Sequence, residues 1–369
     1  MKTKSIFKRH FIVLSLSVAV ACMSFVFCSC TGQNLDKTVL QAYDLRITGH
    51  ADSAQVLLEQ AIAKDSTNSA AWFELARTKM HIVLGNPRKL IGEMTYIQQF
   101  AQNAVDNEPN NVIYQYYLAN VDFFNLYIAM RNENFSAEFE KAVGTYRTVL
   151  DLKPDYHEAK LYLIELYTMV PIEMGGDPAI AEEYVQELEA ADVVFGAKAR
   201  EIVMPGDADY IEFWKKIEEK QMNSADVYEA LGNTYLYNEN IEEAARAFEK
   251  AISLNAEKNI LHINMGKYYM MQAGRDLELL VSLAPSIENE FEIYLNSQPE
   301  PVNPLKAFVI GQLAMLNFRT GDKEAGDKFK EEATLLDPNY SKAFGTPGQI
   351  LFDPPDEISH AHAYFSRPF

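Results

Sequence analysis

The chain has 369 residues, enough for one extended array or two compact domains, and its 48% hydrophobic content excludes wholesale disorder. A formal charge of −19 repels phosphate backbones, which argues against nucleic-acid binding, and disfavours adsorption of the protein body to anionic lipid. Cys22, Cys28 and Cys30 are the three cysteines, so everything downstream lacks a disulfide, a thiolate metal site and a cysteine nucleophile.

The N-terminus reads as an export signal. Lys2, Lys4, Lys8 and Arg9 precede a predominantly apolar run over residues 11–28, after which come Ser29, Cys30, Thr31, Gly32 and Gln33. An uncleaved membrane anchor is the alternative, because the run approaches bilayer-spanning length. The small Ser29 before Cys30 and the polar stretch behind it favour removal. The segment resembles a bacterial lipoprotein signal, although Phe27 stands where such signals prefer Leu. That resemblance implies a signal over 1–29, a lipid on Cys30, a tether over 30–34, and membrane attachment in the bacterial cell envelope, at the periplasmic face or outer membrane.

From residue 35 the pattern changes to pairs of short helices. Gly49 marks a first turn, with Ala42 before it and Ala54, Leu58 and Ala61 on one stripe after it. A second pair opens at Ser69 with Trp72, Leu75 and Ala76, stops at Gly85, Asn86 and Pro87, and closes with Ala101, Ala104 and Pro109. Its excess length predicts an insertion over 85–95. The third carries Tyr114, Tyr117, Leu118 and Val121, then Ala142, Tyr146 and Val149; residues 125–134 either lengthen its first helix or form a loop. The fourth starts near His157, and Gly175, Gly176, Asp177 and Pro178 predict a break followed by a capped restart. No P-loop lysine follows those glycines, so a turn explains them better than a phosphate site.

Residues 193–224 break the periodicity, except for an extra helix predicted over 210–220 with Phe213, Trp214 and Ile217 on one face. The clearest stretch is 225–258. Tyr228, Leu231, Gly232 and Tyr235 precede a turn at Asn238, Glu239 and Asn240, and Ala244, Phe248 and Ala251 follow it. Small residues stand where two antiparallel helices would cross. A single hairpin cannot bury its apolar face alone, so neighbours of the same kind are expected.

This spacing resembles the tetratricopeptide repeat, a 34-residue helix-turn-helix unit with its large and small residues in these slots. Only the proline near the unit's end is missing, replaced by Ala256. The resemblance implies an all-α fold, a right-handed superhelix of antiparallel helix pairs with insertions. Units would start at Leu35, Ser69, Asn111, His157, Ala225 and Asn259, giving an N-terminal array over 35–192, a helical insertion over 193–224 and a C-terminal array over 225–338. The last hairpin, with Phe308, Phe318, Gly321, Ala325, Phe329 and Ala333, departs from the spacing by one residue. The proline- and aromatic-rich tail over 339–369 is expected either to shield the last helices or to bind a partner.

Catalysis has no visible constellation. Seven histidines are scattered, and only His360 and His362 lie close together, without a fixed third ligand. The chain is therefore expected to be non-enzymatic, without metal or cofactor. Function would lie on the inner curved face of the array. In the resembling family that face is lined by defined positions of each first helix; here they supply Asp226, Glu229, Asn233, Leu236 and Tyr237, then Ile263, Asn264, Lys267, Met270 and Met271. Asn233, Tyr237, Asn264 and Lys267 are the candidates for holding a protein or peptide, since an amide can donate and accept along an extended backbone. Glu229 replaces the lysine of a carboxylate clamp. A second candidate surface comprises Tyr116, Phe123, Tyr162 and Met169, either an aromatic groove or core covered by the neighbouring insertions. The expected function is an envelope scaffold for a protein or peptide. The alternative is an accessory solute-binding lipoprotein of a tripartite transporter-like system, whose enclosed pocket would be lined by those aromatics.

Overall fold

The computed structural model describes residues 36–129, 134–343 and 351, and among them are sixteen α-helices and no strand. In chain order these are α1 (Lys37–Ile47), α2 (Ala51–Lys64), α3 (Ser69–Val83), α4 (Pro87–Asn107), α5 (Val112–Ala129), α6 (Phe135–Leu152), α7 (His157–Met169) and α8 (Pro178–Ala191). The second half comprises α9 (Val193–Val203), α10 (Tyr210–Glu218), α11 (Ala225–Tyr237), α12 (Ile241–Leu254), α13 (Leu261–Ala273), α14 (Leu277–Leu295), α15 (Asn303–Thr320) and α16 (Lys323–Leu336). Consecutive helices pack as hairpins, α3 on α4, α5 on α6, α11 on α12, α13 on α14 and α15 on α16, while α7, α8 and α9 form a group of three. The fold is all-α among the described residues, built largely from consecutive helices packed in pairs.

Local chemistry explains the starts. Asn68, Asn86, Asp177, Asp192, Asp209, Ser224, Asp276 and Asp322 each accept a backbone N–H from the first turn of the helix they precede. Each such cap contributes about 1 kcal/mol to its helix. The length between 85 and 95 does not loop out: with Asn86 as cap, the chain runs directly into the long helix α4. Likewise 193–224 contains two helices, because Asp192 caps α9 before α10 begins. Pro285 lies inside α14, where Leu280, Ile287, Phe291 and Tyr294 form the buried stripe.

Where paired helices cross, glycine permits close contact. A Cβ on Gly232 of α11 would stand 2.3 Å from the Phe248 ring of α12, and one on Gly266 of α13 would stand 2.3 Å from Phe291 of α14. Among the described residues two large apolar clusters form. One, around Trp214, Leu231, Tyr235, Phe248 and Met265, joins α9–α13. The other extends through α3–α8 and continues through Phe291, Phe308 and Tyr340.

The last hairpin also meets the first. Gly49, at φ +90, turns the chain between α1 and α2, and a Cβ there would stand 1.7 Å from the Leu336 carbonyl oxygen. Asn303 Nδ2 donates to the Thr48 carbonyl at 3.2 Å, and Asn339 Nδ2 donates to Asp52 at 2.9 Å. Beyond α16, a 3-10 turn over Tyr340–Lys342 packs Tyr340 beneath Phe308, with ring centroids 6.3 Å apart.

Candidate functional site

The two candidate surfaces differ sharply in exposure. On α11, Leu231 and Tyr235 face the core, whereas Tyr237 is 84% exposed and Asn233 is half-buried. On α13, Asn264 is 9% exposed, Lys267 is half-buried, and Met271 is 49% exposed. Tyr237 is thus fully presented, Asn233 and Lys267 are partly accessible, and Asn264 offers little surface. Burial pushes the Lys267 ammonium below its ordinary range. An anionic partner beside that ammonium would recover the lost charge stabilisation.

Asp226 and Glu229 occupy the same face near the start of α11. Lys258 Nζ reaches Asp226 Oδ1 at 2.6 Å and Glu229 Oε2 at 2.5 Å, while Lys198 Nζ stands 3.6 Å from Asp226. Burial alone would lower the Lys258 pKa, but Glu229 and Asp226 outweigh it and raise it. The acids are therefore held by a lysine of the 3-10 turn Ala256–Ile260, which links α12 to α13. The face between them and Tyr237 carries amide and aromatic groups with little net charge, which suits hydrogen bonding to a polypeptide backbone.

The aromatic quartet is not an open groove. Tyr116 has no exposed surface, Tyr162 is 5% exposed, and Phe123 packs against the core. Tyr116 lies 4.6 Å from Tyr156 and 6.4 Å from Tyr162 between ring centroids; Phe123 is 5.1 Å from Tyr162, and Tyr146 stacks on Tyr162 at 5.0 Å. These rings fill one another's space, so Tyr116 and Tyr162 are core residues instead of ligand contacts. Met169 is separate from them in exposure, at 54%.

A charged cluster on the equivalent face of the first two pairs carried no obvious sequence signal. Arg46 Nε donates to Glu74 Oε1 at 2.7 Å, and Arg77 Nη1 donates to Glu74 Oε2 at 3.1 Å, with all three side chains fully buried. The Tyr43 ring lies 5.6 Å from the Arg46 guanidinium, and the Phe73 ring 5.2 Å from that of Arg77. Arg46 Nη1 also donates to the backbone carbonyl of Leu351. Nearby, His81 Nε2 stands 2.7 Å from Asp337 Oδ2, both buried. Glu74 and Arg77 at a three-residue spacing were the only local hint, and such pairs are ordinarily solvated.

Elsewhere, a cavity of about 270 Å³ lies beside α15 and α16, lined chiefly by Ala314, Met315, Phe318, Arg319 and Lys330. His262 Nδ1 stands 2.8 Å from Glu290. His360, His362, Cys30 and the export signal lie outside the described residues. Among the described residues no helix is long and apolar enough to cross a membrane.

Residues 225–257 match the family model for the tetratricopeptide repeat. No curated protein matches the chain in sequence. Among solved structures, the chain is similar to a thermophilic TPR protein of Thermus thermophilus, at 16% identity over 63% of this chain and 97% of that one, with a TM-score of 0.38. It is also similar to a tetratricopeptide repeat protein from Parabacteroides merdae, at 17% identity over 83% and 94% of the two chains, with a TM-score of 0.34. YrrB, a TPR protein with an unusual peptide-binding site, is similar at 15% identity over 54% of this chain and 92% of its own, with a TM-score of 0.27.

Proposed function

We propose that this chain, which carries a tetratricopeptide repeat at 225–257 and helix pairs on either side of it, is a non-enzymatic scaffold that binds a protein or peptide on the face of α11 and α13. The observation that carries this reading is Tyr237, an aromatic side chain 84% exposed on a helix whose opposite face is buried in the core. Exposed tyrosines are effective contact residues because they offer large apolar area and a hydroxyl at small entropic cost. Asn233 beside it and Lys267 on the next first helix supply hydrogen-bond donors to an extended chain.

The setting belongs to the same proposal. The basic start, apolar run and Ser29-Cys30 junction support a lipid anchor at Cys30 in the bacterial envelope, with the acidic body in the aqueous compartment. Mass spectrometry of the purified mature protein tests the anchor: a lipidated Cys30 at the N-terminus supports it, and an intact N-terminal signal refutes it.

Affinity capture from detergent-solubilised envelope tests the binding face. The full chain is compared with a variant carrying Tyr237→Ala and Asn233→Ala. Loss of one reproducible partner, with helicity and melting unchanged, is the expected result. Capture that is indifferent to both substitutions would remove α11 from the binding face.

A further inference from the structure

A cavity rimmed by cations lies against the last hairpin of an otherwise acidic chain. The formal charge is −19, yet Arg319 of α15, Lys330 of α16 and Lys342 beyond it line one space of about 270 Å³, with no carboxylate among the lining residues. Its hollow comes from small side chains. A Cβ on Gly311 would stand 2.3 Å from the Ser341 carbonyl oxygen, so glycine there lets the turn over Tyr340–Lys342 lie directly on α15, which brings Lys342 to the rim. One turn further along α15, Ala314 is 4% exposed and forms part of the floor.

The walls are apolar and accessible. Met315 is 42% exposed and Phe318 40%, and their three-residue spacing sets them on one side of α15. Gly326 lets Phe318 lie over α16, since a Cβ there would stand 2.6 Å from the ring. Neither Lys330 nor Lys342 has an ion-pair partner among the described residues. Arg319 Nη2 donates to the Gly274 carbonyl, which leaves the other N–H groups of that guanidinium for a ligand. Thr334 Oγ1 already donates to the Lys330 carbonyl at 2.7 Å, so the polar contribution of the site is mainly cationic. Cations at the rim favour an oxyanion, and the floor and walls favour an apolar body attached to it.

We propose that this cavity binds a small anionic amphiphile, a carboxylate carried on a short alkyl or aryl body. Lys330, Lys342 and Arg319 surround the carboxylate, and Ala314, Met315 and Phe318 take the body. The volume lies just below the range of about 300–1,000 Å³ typical of small-molecule sites, so the body is short. A neutral molecule of the same shape would leave the three cations without a counter-charge, and a bare anion would leave the apolar walls in water. The cavity shares no residue with the α11–α13 face, so either can fail while the other stands.

The test uses the full chain and a photoreactive diazirine analogue of decanoate, with labelled peptides mapped by mass spectrometry. Labels are expected on residues 311–319 or 330–342. Unlabelled decanoate should compete at a concentration at least tenfold lower than acetate, which lacks the body, or decanol, which lacks the charge. Lys330→Gln combined with Lys342→Gln should reduce labelling at least tenfold while helicity and melting stay unchanged. Met315→Asp, on the apolar side, should reduce it as much. No labelling, labels only elsewhere on the chain, equal competition by acetate or decanol, or unchanged labelling of the variants would overturn the proposal. So would stronger competition by acetyl-glycyl-leucine than by decanoate, which would give the cavity to a polypeptide terminus.

Discussion

His81 of α3 and Asp337 at the end of α16 are separated by 256 residues of chain and 2.7 Å of space, with neither side chain exposed. Asp337 Oδ1 meanwhile accepts the backbone N–H groups of Asn339 and Tyr340 at 2.9 and 2.7 Å. One carboxylate thus shapes the turn after the last helix and fastens it to the second hairpin. Removing one partner of a buried hydrogen-bonded pair costs about 1–3 kcal/mol, because the other is left unsatisfied. Asp337→Ala is expected to lose stability of that order in urea unfolding. Hydrogen exchange would rise in α3 and α16 together; a rise confined to α16 would show that the contact does not join the two ends.

Gly232 separates two opposing effects of one methyl group. Alanine favours a helix over glycine by about 1 kcal/mol. The added Cβ would, however, stand 2.3 Å from the ring of Phe248, which is itself 2% exposed and has little room to move. Overpacking of that kind costs about 1–3 kcal/mol. Gly232→Ala should therefore destabilise by up to about 2 kcal/mol in thermal or urea melts, and Phe248→Leu in the same chain should recover part of the loss. Additive losses in the double variant would contradict the crossing geometry.

Glu158, at the start of α7, introduces a pH dependence. Burial pushes its carboxyl up to about 7 from an ordinary 4.5, against the pull of the Lys198 and Lys153 ammoniums. The folded chain therefore keeps a proton that the unfolded chain releases. Stability from this group is fully present below about 4.5 and is lost as pH rises to about 7. Glu158→Gln should be more stable than wild type at pH 8 by about 1–3 kcal/mol and close to it at about pH 4.5. A difference that does not change with pH would exclude titration of Glu158 as the cause.

Two neighbouring tyrosines should respond differently to loss of the hydroxyl. Tyr146 Oη donates to Asn120 Oδ1 at 2.9 Å, whereas the buried Tyr116 hydroxyl has no hydrogen-bond partner among the described residues. Tyr146→Phe leaves the buried Asn120 oxygen unpaired and should cost about 1–3 kcal/mol. Tyr116→Phe should be neutral or stabilising by up to about 1 kcal/mol, since it removes an unpaired buried group. Unfolding curves of the two variants decide this; equal losses would place a partner on Tyr116.

The hairpins were legible because their determinants are local. Gly232 and Phe248 lie on one hairpin, and a turn of a few residues brings them together, so small and large residues at the right spacing already specify the crossing. The restart at Asp177 was readable for the same reason: cap and first turn are adjacent. The insertion expected over 85–95 failed on length, since added residues can extend a helix as readily as a loop. The helix α9 was missed because its short apolar pattern is interrupted by Gly196, where an added Cβ would stand 2.6 Å from the Glu189 backbone.

Sequence by itself determined an acidic, cysteine-poor chain of helical pairs with one well-formed tetratricopeptide repeat, because composition and short-range periodicity are properties of contiguous residues. Which inward faces stay open was decided only by the tertiary structure. Tyr237 and His81 hold the same place in their units, and one is bare while the other is sealed under Tyr340 and paired with Asp337. Exposure at such a position depends on what the far end of the chain lays over it, and no local spacing encodes that.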